Sequence, residues 1–181
     1  MLKIVVPAWE DYDPVKQEFR SGKATTLKME HSLVSLSKWE ARHCKPFLGR
    51  EELTQEELLD YAQCMTHRSQ EIDPEVFKHL TEANWKEILD YIHAPMTATT
   101  ISNKQNRKMS REIITSEIIY YWMISLEIPM ECQKWHLNRL LTLIDVVGIK
   151  NQPAKKMSKK DAAARYHSLN AARRAKHGSR G

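Results

Sequence analysis

The chain has 181 residues, 41% of them hydrophobic, which is enough for one domain with a buried core and an appended segment. Its first residues lack the basic stretch and long apolar region of a signal peptide, and no apolar run approaches the roughly 20 residues that span a bilayer. Three scattered cysteines without a C-x-x-C pair predict free thiols in a reducing, intracellular setting, so a disulfide-stabilised secreted protein is not expected.

The formal net charge of +5 is distributed unevenly along the chain. Residues 150–181 contain ten Lys or Arg and one acid, a balance of +9, whereas residues 1–149 contain 18 basic and 22 acidic residues, a balance of −4. This division predicts a domain over residues 1–149 and a basic arm over residues 150–181. The helix signals described below predict that the domain is mainly helical. Such an asymmetry indicates that the arm meets something negative, which is nucleic acid, an acidic protein face or the body of the protein.

The N-terminal region predicts β structure. Residues 3–6 are rich in β-branched side chains, and residues 10–14 have the composition of a turn. A second strand is predicted over residues 15–20 and a third over residues 25–29. We expect a small antiparallel hairpin or meander that needs helices to cover one face.

Helix signals begin at Ser32, which is predicted to cap a helix to about Cys44 with Leu33, Leu36 and Trp39 on its inner face.

Further helix starts follow at intervals along the chain. A T-x-x-E capping box opens a helix at Thr54, and Asp73 followed by Pro74 opens a short one. Thr81 opens another, whose apolar residues at helical spacing are Trp85, Ile88, Leu89 and Ile92. Residues 96–109 are polar and predict an exposed loop, with room for a short strand at 97–101.

The densest apolar content lies between residues 111 and 149, and we expect two helices there to form the core around which the rest packs. Seven successive apolar or aromatic residues (118–124, IIYYWMI) predict a helix over 111–128, capped by Ser110 and covered by protein on most sides. Pro129 predicts the start of a second helix, with Gly148 as its end. The apolar stripe of that helix consists of Met130, Leu137, Leu140, Leu141 and Ile144.

The basic arm predicts one more helix. Residues 162–176 are rich in Ala and Arg, which favour helix, but only Tyr166 and Leu169 offer apolar anchors there. We expect this helix either to extend from the body or to dock on a partner. The basic residues assigned to the arm are Lys155, Lys156, Lys159, Lys160, Arg165, Arg173, Arg174 and Lys176.

The sequence contains no pattern that predicts an enzyme. The nucleotide-binding loops G-x-x-x-x-G-K and G-x-G-x-x-G are absent, as are the hydrolase elbow G-x-S-x-G and the zinc motif H-E-x-x-H. Cys132 and His136 stand four residues apart, and His43 with Cys44 could complete a zinc site. This spacing matches no known finger, and a buried cysteine beside a hydrogen-bonded histidine is the commoner arrangement. We expect no catalytic residue, metal or cofactor.

Four segments carry a resemblance to a known family: MEHSLVSLSKWE (29–40), MTATT (96–100), REIITSEIIYYWMISLEIPMECQKWHLNRLLTLI (111–144) and LNAARR (169–174). In these segments the chain resembles small proteins of tailed bacteriophages that are identified as tail assembly chaperones, encoded near the tape-measure gene. The resemblance covers nearly the whole chain, and the block YYWM…CQKWHLNRLL is its most specific part. It implies a role in phage tail morphogenesis in the host cytoplasm, with the tape-measure protein or tail-tube subunits as partners, and it carries no catalytic residue.

A chaperone for a long helical client needs an apolar groove with charged rims and weak, multivalent binding. Our hypothesis is that the helices predicted over 111–128 and 129–144 form one wall of this groove, and that the basic arm engages acidic stretches of the client. The predicted client contacts are Ile118, Tyr121, Trp122, Trp135, Leu137, Leu140 and Leu141. Two other classes stay open: a nucleic-acid-binding protein that uses the arm, and a structural virion or connector subunit that self-assembles with its C-terminal helix inserted into a neighbour and remains in the virion.

Overall fold

A computed structural model describes residues 1–15, 17–49, 53–67, 69–101, 113–151 and 159–177. The fold is mainly α with a small N-terminal set of antiparallel strands, as the sequence predicts. The chain divides into two units, Met1–Ile149 and Lys150–Gly181. In the second unit, the described residues from Lys159 to His177 form helix α6.

The four strands form one long hairpin with a break in the middle. Strand β1 (Leu2–Val6) pairs antiparallel with β4 (Thr25–Met29), and β2 (Trp9–Asp13) pairs antiparallel with β3 (Glu18–Gly22). The register is common to both ladders: Val6 lies opposite Thr25, and three residues further Trp9 lies opposite Gly22. Pro7 lies in the break, where its lack of an N–H is harmless to the ladder.

This hairpin corrects two predictions. Residues 10–13, which have the composition of a turn, lie in β2, and of the strand predicted over 15–20 only residues 18–20 lie in a strand, which is β3. The reason is that the outer half of the hairpin is exposed on both faces, so acidic residues are tolerated throughout and the apolar alternation that marks a strand is lost. The strand predicted over 25–29 is confirmed.

The predicted helix starts are largely confirmed. Helix α1 (Leu33–His43) is capped by Ser32, whose hydroxyl accepts from the N–H of Ser35, and its Leu33, Leu36 and Trp39 are fully buried.

Helix α2 (Gln55–Met65) begins with the predicted capping box of Thr54 and Glu57. The short helix after Asp73 is a 3-10 helix, Pro74–His79. Helix α3 (Glu82–His93) is capped by Thr81. No strand forms over residues 97–101, all of which are described.

The two central helices differ from the prediction at their ends. Helix α4 spans Ser116–Ser125 with Thr115 at its N-cap, so the described residues 113–115 lie outside it, and Ser110 falls outside the described part of the chain. After Pro129 comes a 3-10 helix, Met130–Lys134, before helix α5 (Leu137–Asn151). The backbone is extended at Trp135, and His136 forms an antiparallel bridge with Ser32, which interrupts the predicted continuous helix.

Two further predictions for the second helix, one for its apolar stripe and one for its end, also need correction. Met130 is 42% exposed and does not extend the buried stripe. Gly148 lies inside α5 rather than at its end. A glycine in the interior of a helix costs roughly 1 kcal/mol of stability relative to alanine.

The described residues of unit Met1–Ile149 form two hydrophobic clusters, and both receive side chains from α1. The first cluster unites β1, β4, α2, α3 and the 3-10 helix Pro74–His79 around Trp39. The second unites α4 and α5 around Leu33 and Leu36. The expectation that α4 and α5 form the core of the whole protein is therefore wrong, because they build one of two clusters.

Candidate interaction surface

Helix α4 has one side in solvent that carries large apolar groups. Glu117, Tyr121 and Ile124 follow one another at intervals of four and three residues, which places them on one side of the helix. Tyr121 and Ile124 are 66% and 68% exposed. The buried residues of the opposite side are Ser116, Ile119 and Met123. Six of the ten residues of α4 are buried or half-buried, so protein covers the helix on most sides, as predicted, but leaves this one side open. We name Glu117, Tyr121 and Ile124 the α4 face.

The seven predicted client contacts separate into three groups. Tyr121 is exposed, whereas Leu137 and Leu140 have no exposed surface and pack in the second cluster. Leu137 and Leu140 therefore cannot contact a client without rearrangement of that cluster, so they are removed from the surface. The half-buried contacts are Ile118, Trp122, Trp135 and Leu141.

A buried carboxylate fixes the start of α4 against α1. Glu40 is 6% exposed, and its two oxygens accept the N–H of Ser116 at 2.7 Å and the N–H of Phe47 at 2.9 Å. The first N–H groups of a helix have no partner inside the helix, so an acceptor at this point stabilises the helix and sets its orientation. The sequence does not reveal this role of Glu40, because Glu40 and Ser116 lie 76 positions apart in the chain.

The charge at the start of the α4 face is held by local hydrogen bonds. The N–H of Glu117 and the hydroxyls of Thr115 and Ser116 hydrogen-bond the Glu117 carboxylate, and they lower its pKa below the usual value for a glutamate. Within the described part of the chain, no basic side chain lies within ion-pair distance of Glu117. The α4 face therefore presents a carboxylate followed by two apolar side chains.

Contacts beyond α4 fix its other end. The N–H of Ile128 donates to the carbonyl of Met123 at 2.8 Å, and the hydroxyl of Tyr120 donates to Oε1 of Gln133 at 2.9 Å. Glu127 has a φ of 54°, a left-handed conformation that reverses the chain before Pro129. Both ends of α4 are thus held, and its outer side is presented on a rigid element.

A groove lies beside the first half of α5. Residues Met96 to Thr99 and the side chains of Trp135 and Arg139 line a groove of about 410 Å³. The Arg139 guanidinium stacks over the Trp135 ring at 4.2 Å from its centre. Trp135 alone of the seven predicted contacts lines this groove, so the groove is not the wall predicted from the two helices over 111–128 and 129–144.

The outer half of the hairpin is a further exposed apolar feature. Tyr12 and Phe19 face each other across the ladder with ring centres 5.1 Å apart, and they are 53% and 71% exposed. Val15 in the loop is 90% exposed. We name these three residues the hairpin tip. Sequence analysis did not single them out because it placed a turn where β2 lies.

Buried histidines join the two clusters. His31 Nδ1 lies 2.5 Å from the Tyr61 hydroxyl, and the rings of His31 and His136 pack edge to face with centres 5.0 Å apart. His136 Nε2 donates to the carbonyl of Tyr91 at 2.9 Å, and its Nδ1 accepts the N–H of Asn138 at 3.3 Å. Both nitrogens of His136 are therefore occupied by protein groups in the neutral ring.

Burial keeps these histidines neutral. It lowers the pKa of His31 from 6.5 to about 3, and nearby His136 and His93 act in the same direction. Burial also lowers the pKa of His136. The Tyr91 carbonyl and the Glu30 carboxylate raise that pKa, but by less. The hydroxyl of Tyr91 in turn donates to Glu30 Oε1 at 2.5 Å.

The cysteines and histidines considered for zinc have other partners. His43 Nε2 lies 2.8 Å from Asp60 Oδ2, and His136 binds the carbonyl of Tyr91. Cys44 is exposed at the C-cap of α1, whereas Cys132 is buried in the second cluster. The described residues contain no group of three or more His, Cys, Asp or Glu arranged to hold a metal ion.

The predicted basic arm is helical where it is described. In α6, Arg165, Arg173, Arg174 and Lys176 are exposed, and Tyr166 and Leu169 are 68% and 45% exposed. Lys159 and Lys160 form its first turn, and Lys155 and Lys156 lie outside the described residues.

Comparison of the chain with protein-family models, with curated proteins and with solved structures gave no match. In the described part of the chain, no helix is both long and apolar enough to cross a membrane.

Proposed function

We propose that this protein acts in the morphogenesis of bacteriophage tails, as a chaperone that binds apolar helical segments of the tape-measure protein, of tail-tube subunits or of both. It acts in the cytoplasm of the infected host. The proposal combines the resemblance of the four sequence segments to phage tail assembly chaperones with the exposure of the α4 face. The most specific block of that resemblance, residues 120–141, runs from the second half of α4 to the start of α5.

The observation that carries the proposal is the exposure of Tyr121 and Ile124. Two large apolar side chains in one line on a helix fixed at both ends form an anchor for another helix, which contributes residues at the same spacing of three or four. Burying a large apolar side chain contributes roughly 1.5–3 kcal/mol relative to leaving it in water. Two such anchors that become partly buried when a client binds therefore support weak binding. A chaperone requires weak binding if assembling subunits are to displace it.

Co-expression with the tape-measure protein of the same phage tests the proposal. The wild-type chain is expected to keep the tape-measure protein in the soluble fraction and to co-purify with it. The variant Tyr121→Ser/Ile124→Ser removes the apolar anchors and is expected to lose both effects. The matched control is Tyr12→Ser/Val15→Ser, which removes exposed apolar groups from the hairpin tip and is expected to retain them.

The outcome also separates the alternatives from the proposal. Loss of client with the hairpin-tip variant and retention with the α4 variant would place the contact away from α4. Recovery of nucleic acid without a tail protein, lost at high salt, would contradict the chaperone proposal and support nucleic-acid binding by the arm.

A further inference from the structure

Helices α4 and α6 carry complementary patterns on their exposed sides. The α4 face runs from a carboxylate to two apolar groups: Glu117, then Tyr121 four residues later, then Ile124. On α6, Tyr166 is followed by Leu169 after three residues and by Arg173 after another four, so these three also share one side. All six residues are exposed.

The spacing of the two patterns matches when the helices run in opposite directions. The charge and the nearer apolar residue are four positions apart in each helix, in Glu117–Tyr121 and in Leu169–Arg173. The two apolar residues are three positions apart in each, in Tyr121–Ile124 and in Tyr166–Leu169. An antiparallel pair therefore brings Arg173 to Glu117, Leu169 to Tyr121 and Tyr166 to Ile124, and it also aligns the helix dipoles favourably.

We propose that the α4 face binds helix α6 of a second copy of this protein in an antiparallel pair. The overall charges support this partner, because residues 1–149 carry a balance of −4 and residues 150–181 a balance of +9. Opposite charges at the ends of an apolar contact select the register and the partner more than they raise the affinity.

A two-fold symmetric dimer uses this contact twice, once from each copy. Each contact alone is small. The two together bind more tightly than one, because the second contact forms within a complex that the first already holds together. Because Glu117 and Arg173 are exposed, their attraction is screened by salt, so the dimer is expected to weaken as ionic strength rises. Dimerisation by this contact requires no client. It goes beyond the proposed function because it assigns a second partner to helix α4.

Sedimentation equilibrium of the purified full-length chain, treated with nuclease, tests the inference by a charge exchange. The wild-type protein is expected to dimerise with a dissociation constant that rises with salt. Glu117→Arg and Arg173→Glu are each expected to weaken the dimer by about tenfold, since each turns an attraction into a repulsion at two contacts. The double variant Glu117→Arg/Arg173→Glu is expected to restore it.

Two control substitutions reverse a charge in the same way but lie outside the proposed contact. Glu87→Arg reverses an exposed acid on α3, and Arg174→Glu reverses a base that lies about 100° around α6 from Arg173. Both are expected to dimerise like the wild type. A wild-type chain that stays monomeric at every concentration, or a double variant no tighter than its single parents, would overturn the inference.

This test is independent of the tail-assembly proposal because it contains no client. A protein that dimerises by this contact but does not bind a tape-measure protein would contradict the proposed function alone. A monomeric protein that binds the client would contradict the inference alone.

Discussion

Acid is expected to destabilise this protein through the buried pair of His31 and His136. In the folded state His31 lies against Tyr61 and His136, and burial holds its pKa at about 3. In the unfolded chain its pKa returns to about 6.5. Between these two values the unfolded state binds more protons than the folded state, so the free energy of unfolding falls as the pH falls.

The size of the effect follows from the same two values. Above pH 6.5 the contribution of His31 is fully present, and by pH 5.0 it has fallen by about 2 kcal/mol. His136 acts in the same direction, because a protonated Nδ1 would place a proton against the N–H of Asn138. This loss is a large part of the 5–15 kcal/mol by which a typical domain is stable.

Urea unfolding at pH 7.5 and pH 5.0, followed by tryptophan fluorescence, measures this loss. The variant His31→Gln keeps a hydrogen-bonding group near Tyr61 but cannot titrate, so its loss between the two pH values is expected to be smaller than that of the wild type by about 2 kcal/mol. His167→Gln on α6 is the control, since His167 is exposed, and it is expected to keep the full loss. An equal loss in wild type and His31→Gln would refute the reasoning.

Two further substitutions test how the body is held together, and both are measured by urea unfolding. Gly22→Ala is expected to lower the free energy of unfolding by about 1–3 kcal/mol, since its Cβ would collide with Trp9 Nε1 and push Trp9 off its stack with His79. An unchanged stability would show that Trp9 moves without cost. Glu40→Gln is expected to lose about 1–3 kcal/mol, because its amide would face the N–H of Ser116 or Phe47. Stability equal to the wild type would contradict the anchoring role of Glu40.

The sequence predicts the local elements of this fold well. Ser32 and Thr54 are N-caps, and Leu33, Leu36 and Trp39 are the buried side of α1, because each signal depends on residues within two turns of one another. The same locality explains why the strand over 25–29 and the helix in the arm were predicted correctly.

The candidate surface was less predictable because its signals are not local. Residues 118–124 are all apolar or aromatic, so they have no periodicity to show which side of α4 faces solvent. That choice depends on the contact of Glu40 with Ser116 and on the packing of α4 against α1. Leu137 and Leu140 were predicted to contact a client because the sequence does not show that they are buried in one cluster with Leu33 and Leu36.

The most direct test of the proposed function is photocrosslinking at the α4 face during tail assembly. A photoreactive phenylalanine analogue replaces Tyr121 in one protein and Tyr12 at the hairpin tip in another, and both are expressed in infected cells. We predict a crosslink to the tape-measure or tail-tube protein from position 121 and none from position 12. A crosslink to either protein from position 12 alone, or to no tail protein from either position, would contradict it.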